Sequence, residues 1–167
     1  GLQARQLGFL TDQDLIVASD ETSVTLANGC VCCSIRDDLI AAVRDSLRRD
    51  PPPEHMVVEL SGIADPGSVL RTFALMEKRW PLFVDGVIAL VDAEHFPDAG
   101  EPHHVLAREQ LVLADVVLLN KTDLADAAAV ARVESQLRGM NRTATIHRAQ
   151  NADVAISKLL GIGAFDL

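Results

Sequence analysis

The apolar positions along this chain change period several times, and each change marks an element. Residues 15–18 (Leu-Ile-Val-Ala) and 24–26 (Val-Thr-Leu) are short apolar runs around a polar turn at 19–23, and predict the two strands of a hairpin. From residue 34 the period becomes helical. Ile35, Leu39, Ile40, Val43 and Leu47 recur at three- and four-residue spacing, leaving Asp37, Asp38, Arg44 and Arg48 outward. Ser34 and Asp37 stand at the S-x-x-D spacing that caps a helix start, and Pro51, Pro52 and Pro53 end the element.

Residues 55–60 (His-Met-Val-Val-Glu-Leu) then run without alternation, as a strand covered on both faces of a parallel sheet does. A turn over 61–67 leads to a predicted helix over 69–78. Runs of the same unalternating kind at 84–91 and 115–120 predict two more buried strands, with a helix at 105–114 between them. A helix over 126–138, a short strand at 143–146 and a last helix at 153–160 complete the pattern. Strands alternating with helices in this way predict an α/β fold, a three-layer parallel sheet with helices on both faces. No repeat or interior boundary interrupts it, so residues 1–167 are read as one domain without a second.

Charge narrows the partners. Against 24 acidic residues stand 15 basic ones, a formal net charge of −9, which excludes a general binder of nucleic acid or of an anionic membrane surface. No apolar stretch approaches the roughly 18–20 residues that span a bilayer. The first residues, Gly-Leu-Gln-Ala-Arg, contain no signal-peptide apolar region, and the expected compartment is the cytoplasm, where thiols stay reduced.

The three cysteines of the chain, Cys30, Cys32 and Cys33, fall within four residues. A tetrahedral zinc ion with bonds of about 2.3 Å holds its sulfurs about 3.7 Å apart, a spacing that side chains at i, i+2 and i+3 of a turning loop can reach. Gly29 lets the backbone turn before the first of them. The predicted helix start just beyond favours the thiolate, the metal-binding form. Zinc, copper(I) and other thiophilic ions all suit such ligands, and three sulfurs leave one tetrahedral position open. The other readings are a vicinal disulfide between Cys32 and Cys33, or cysteines packed as small hydrophobes.

Two further strings stand at the ends of predicted strands, the edge at which parallel sheets bind ligands. In Asn120-Lys121-Thr122-Asp123 the aspartate can accept from the ring N–H and exocyclic amine of guanine, a donor pair that adenine lacks. Asn120 can fix the loop and the Lys121 stem can lie along a purine face. Alone, N-K-x-D also fits a helix-entry turn. Glu59, before Ser61 and Gly62, can hold water on magnesium, and Gly62 can bring a backbone N–H close to a terminal phosphate. The other reading of Glu59 is an ion pair with an arginine at the sheet edge.

The order Gly-Cys-Val-Cys-Cys, Glu-Leu-Ser-Gly-Ile-Ala-Asp-Pro and Asn-Lys-Thr-Asp resembles the CobW-type metallochaperone GTPases, over residues 12–160. The resemblance implies a P-loop GTPase fold and a chaperone that couples binding and hydrolysis of GTP to transfer of zinc, or a related metal, to a client protein. It further implies Cys30, Cys32 and Cys33 as metal ligands, Glu59 and Gly62 at the catalytic side with Mg2+, and Asn120, Lys121 and Asp123 as base readers for GTP or GDP. Asp12 matches the switch-I aspartate, and a nucleotide-dependent homodimer is among the implied partners.

The chain also departs from the family. It contains no G-x-x-x-x-G-K-[ST] string, none of its three lysines follows a glycine, and Ala4 and Arg5 stand about where the family has Asn-Glu. The expectation is therefore a P-loop GTPase-like domain lacking its first strand and P-loop. The competing readings are a non-hydrolysing thiolate module for metal or redox chemistry, and a GTPase switch with structural cysteines.

Overall fold

The computed structural model describes residues 7–13, 23–27, 34–60, 65–98 and 102–164, with side chains described from residue 37 onward. The chain divides into two compact units, residues 1–64 and 65–167.

In the first unit, β1 (Leu7–Gln13), β2 (Ser23–Ala27) and β3 (His55–Glu59) form a parallel sheet in the order β2-β1-β3, with helix α1 (Ser34–Leu47) between the second and third strands. The strand expected at 24–26 is β2, while the hairpin expected between it and residues 15–18 lies outside the described residues. β1 and β2 run parallel, Phe9 opposite Ser23 through Gln13 opposite Ala27. The strand expected at 15–18 lies outside the described residues, while β1 escaped notice because Gly8, Thr11, Asp12 and Gln13 dilute its apolar run. α1 follows its predicted period, with Leu39 and Val43 buried and Asp37, Asp38, Arg44 and Arg48 exposed. β3 is half-buried along its length, and its last residue, Glu59, is exposed opposite Thr11.

In the second unit, α2 (Pro66–Met76) is followed by β4 (Ile88–Asp92), α3 (Pro102–Val112), β5 (Val116–Asn120), α4 (Ala127–Met140) and β6 (Thr145–Arg148). The three strands form a second parallel sheet, β4-β5-β6. β5 sits between the other two and is buried from Val116 to Leu119. Val117 and Leu119 point to one face and pack with Val91, Leu111, Val130, Val133 and Leu137, so α3 and α4 share one core on that side.

Three local contacts decide where elements start and stop. Asp65 caps α2, accepting from Gly67 N at 2.9 Å and Ser68 N at 3.1 Å, and Pro66 fits the first helical position, so this helix opens three residues before its apolar period. The strand expected over 84–91 starts only at Ile88, because the backbone before it is bound elsewhere. Val84 N donates to Glu77 Oε1 at 2.7 Å, and Val87 N to Asp115 Oδ2 at 2.8 Å. Nor is this strand fully buried as expected, since Ile88 and Leu90 on the outer strand of the sheet are exposed.

The expected helix over 153–160 is also corrected, to a single 3-10 turn (Ile156–Lys158). Asn151 and Ala152 take positive φ (51° and 55°), and Gly161 and Gly163 do so again (70° and 56°). The second bend is held by Asp85, whose carboxylate accepts from Gly161 N at 2.5 Å and Gly163 N at 2.7 Å. These bends bound the segment on both sides, and within it Lys158 N donates to Ala155 O and Leu159 N to Ile156 O, both at 2.9 Å, which closes the 3-10 turn.

Buried Asn141 joins α3, α4 and β6. Its Nδ2 donates to Leu111 O and Ala114 O, both at 2.8 Å, and its Oδ1 accepts from Thr143 N at 3.0 Å, Thr143 Oγ1 at 2.9 Å and Ala144 N at 3.0 Å. Asn141→Ala would strand these backbone groups away from water. It is expected to cost roughly 3 kcal/mol of unfolding free energy, measured by urea denaturation; a loss below about 1 kcal/mol would show that water replaces the amide.

Candidate functional site at the carboxyl ends of β4 and β5

Burial of β5 forces its polar sequence to the strand's end. Asn120 is the last residue of the strand and lies opposite Asp92, the last residue of β4. Its side-chain Oδ1 accepts from Ala152 N at 2.8 Å, which ties the turn after β6 to the end of β5. Lys121 follows with φ 58°, a left-handed conformation that bends the chain sharply out of the sheet. Thr122 then anchors the loop from the other side, its N–H and its Oγ1 both donating to Ala149 O, at 3.3 and 3.0 Å. Asp123 is left exposed, and its carboxylate has no hydrogen bond or ion pair among the described residues. Asp126, three residues on, caps α4 by accepting from Ala129 N at 2.7 Å. Asn120, Lys121 and Asp123 thus meet on one short loop whose ends are fixed.

Asp92, which the sequence reading did not single out, is the busiest acceptor at this edge. Its Oδ1 takes the backbone N–H of Glu94 at 2.9 Å and of His95 at 3.2 Å. Its Oδ2 takes the Lys121 ammonium at 2.7 Å and lies 3.3 Å from His95 Nδ1. Partial burial works to raise the Asp92 pKa, but the bond from Lys121 and those from Glu94 and His95 outweigh it and hold the carboxyl down at about 2. The same contact raises the Lys121 ammonium above its ordinary value. Because the folded pKa of Asp92 is lowered, the stability it contributes is present above the ordinary carboxyl value near 3.8 and is lost only as pH falls through about 2. The pair is therefore fully charged at neutral pH. The cue in the sequence was an aspartate ending an apolar run, Ile-Ala-Leu-Val-Asp92, the same placement that drew attention to Glu59 and Asn120.

Asp92, Glu94 and His95 also bring ligand-type atoms within 4.8 Å of one another, as a metal site would require. The cation seated there is the Lys121 ammonium, which already matches the Asp92 charge.

The other sequence-predicted residues lie in the first unit or outside the description. Glu59 ends β3, exposed and without a hydrogen bond or ion pair among the described residues. Cys30, Cys32, Cys33 and Gly62 lie outside the described residues, and so do the side chain of Asp12 and the cap expected from Ser34. Among the described residues, no helix is long and apolar enough to cross a membrane.

Comparison with known proteins agrees with this architecture. The chain is 32% identical to the zinc chaperone CobW of a Sinorhizobium species, a match covering 87% of this chain and 47% of that protein. It is also 32% identical to the zinc chaperone YjiA of Escherichia coli, over 97% of this chain and 52% of that protein. To the zinc-regulated GTPase metalloprotein activator 1 of Schizosaccharomyces pombe it is 29% identical, over 87% of this chain and 36% of the relative. The chain thus spans about half, or less, of the length of these curated relatives. The crystal structure of Zn(II)-bound YjiA GTPase from E. coli superposes with a TM-score of 0.71 at 22% identity, covering 99% of this chain and 56% of that one, and so shares its fold. Residues 6–148 match the model of the CobW/HypB/UreG nucleotide-binding domain, and the chain belongs to that family.

Proposed function

We propose that this chain is the nucleotide-binding part of a GTP-dependent zinc chaperone, in which binding and hydrolysis of GTP are coupled to passing zinc to a metal-requiring client protein. Residues 1–167 are read together as a partial nucleotide-binding domain. The observation that carries the reading is the loop at the end of β5, where the exposed Asp123 carboxylate stands unpaired between two anchored points, Thr122 to Ala149 and Asp126 to Ala129. A carboxylate held this way can accept the ring N–H and the exocyclic amine of guanine together. Adenine offers no such pair and would leave it desolvated and unmatched. The family, and relatives named as zinc chaperones and as a zinc-regulated GTPase activator, support the same reading.

In this reading Asn120 holds the base-reading loop, Lys121 lies against the purine and Asp123 selects guanine. Glu59 fits the acid on the magnesium side, since its carboxylate is exposed and uncommitted at a strand end. Glu59 would hold magnesium through water, and magnesium, when bound, would neutralise charge on the phosphates. Gly62 would offer a backbone N–H to the terminal phosphate. Cys30, Cys32 and Cys33 would carry zinc, or another thiophilic ion, as cargo on thiolates, with an open fourth position through which a client ligand could take it. The proposed setting is the cytoplasm, with GTP or GDP and the client as partners and a nucleotide-dependent homodimer as an assembly.

One observation favours the alternative, a thiolate metal or redox module without hydrolysis: no G-x-x-x-x-G-K-[ST] string occurs in the sequence, so none of these residues forms the usual cradle for the β- and γ-phosphates. Two experiments separate the readings. The reduced protein is expected to bind about one zinc ion, and replacing Cys30, Cys32 and Cys33 together by serine is expected to lower affinity at least a hundredfold, as followed by competition with a chromophoric chelator. Unchanged zinc affinity in that variant would remove the cysteines from the metal site. Independently, Asp123→Asn is expected to move preference from guanosine to xanthosine diphosphate, because an amide can donate to the oxygen that replaces the guanine amine. Competition between the two nucleotides measures it, and zinc binding with no guanine preference would leave the module without hydrolysis as the better account.

A further inference from the structure

Two features of the site are not explained by base selection alone. Lys121 carries positive φ although it is not a glycine, and its side chain reaches across to the neighbouring strand to meet Asp92. The register places Asp92 directly opposite Asn120, so a lysine one residue further on, bent back by its left-handed backbone, comes within reach of the end of β4. Its stem then bridges the carboxyl ends of β4 and β5. The two oxygens of Asp92 divide their work: Oδ1 folds the turn through Glu94 N and His95 N, while Oδ2 holds the ammonium.

We propose that Asp92 is a positioning residue for nucleotide recognition, fixing the Lys121 ammonium so that the lysine stem is already laid across the strand ends when the base arrives. A free lysine stem samples many rotamers, and ordering it on binding would oppose affinity. An anchor inside the protein meets that cost beforehand. The charge on Asp92 is secure at neutral pH, as its depressed pKa shows. Asp92 itself touches no nucleotide in this account and acts through Lys121. The proposal rests on the guanine-binding reading above.

The division of labour between the oxygens supplies the test. In Asp92→Asn the side-chain oxygen can still accept from Glu94 N and His95 N, but an amide NH2 faces the ammonium and the tether is lost. Lys121→Met removes the tether from the other side while keeping an apolar stem. Calorimetric titration of the full-length protein with GDP is expected to show each variant weakened about five- to tenfold. The double variant should be no weaker than either alone, because both changes delete the same contact. A merely structural role for Asp92 would instead give additive losses, and this would overturn the proposal. So would wild-type GDP affinity in Lys121→Met, which decides the matter even where Asp92→Asn fails to fold.

Parallel titrations of Asp123→Asn with GDP and xanthosine diphosphate distinguish the two levels of argument. A switch to xanthosine diphosphate together with additive tether losses keeps the base reading and overturns the positioning role. No change in base preference overturns both.

Discussion

A strand enclosed by neighbours on both sides cannot leave a polar group unmatched along its length, and β5 is under that constraint more than any other strand whose burial is described. Its four buried residues are all Val or Leu, and the paired strands β4 and β6 satisfy its backbone. Whatever polar chemistry the strand carries must appear where it emerges. Asn120, Lys121 and Asp123 therefore share the carboxyl edge of the sheet as a consequence of burial, and the same edge receives Asp92 because β4 runs parallel and in register. The site is a product of the sheet, with the loops only finishing it.

Side-chain amides and carboxylates finish those loops in a consistent manner. Asn120 holds the turn after β6, Asp92 the turn after β4, Asp85 the glycines near the end of the described chain, and Asn141 the junction of α3, α4 and β6. Each replaces hydrogen bonds that a strand or helix would have supplied, so irregular backbone is kept in one conformation without regular structure. Asp123, on the loop that Asn120 and Thr122 anchor, has no donor to accept from among the described residues. A rigid frame around one uncommitted carboxylate suits selection of a ligand that brings its own donors. The proposed zinc cargo belongs to different chemistry, three soft thiolates, and the coupling of the two is what a GTP-dependent chaperone would require.

The legibility of the chain depended on the range of the interactions involved. α1 was readable because helical periodicity is local and its apolar stripe is complete, from Ser34 to Leu47. β5 was readable because full burial leaves an unbroken apolar run. The order of the three strings, and with it the family, was also written in the residues themselves. β1 was not readable: its apolar residues are interrupted, and its place between β2 and β3 follows from pairing with strands distant in sequence.

The same boundary separates what the sequence determined from what only the folded chain decided. Composition and periodicity determined an α/β chain with parallel strands, and the short strings determined the family and which residue types are proposed for a nucleotide and a metal. Register and backbone handedness decided the rest. That residues 84–87 give up their strand to Glu77 and Asp115, that Asp85 holds the turn at Gly161 and Gly163, and that Asp92 holds Lys121 are pairings between residues 7 to 78 positions apart. Such pairings carry no local signal, because the groups are brought together only once sheet and helices have packed.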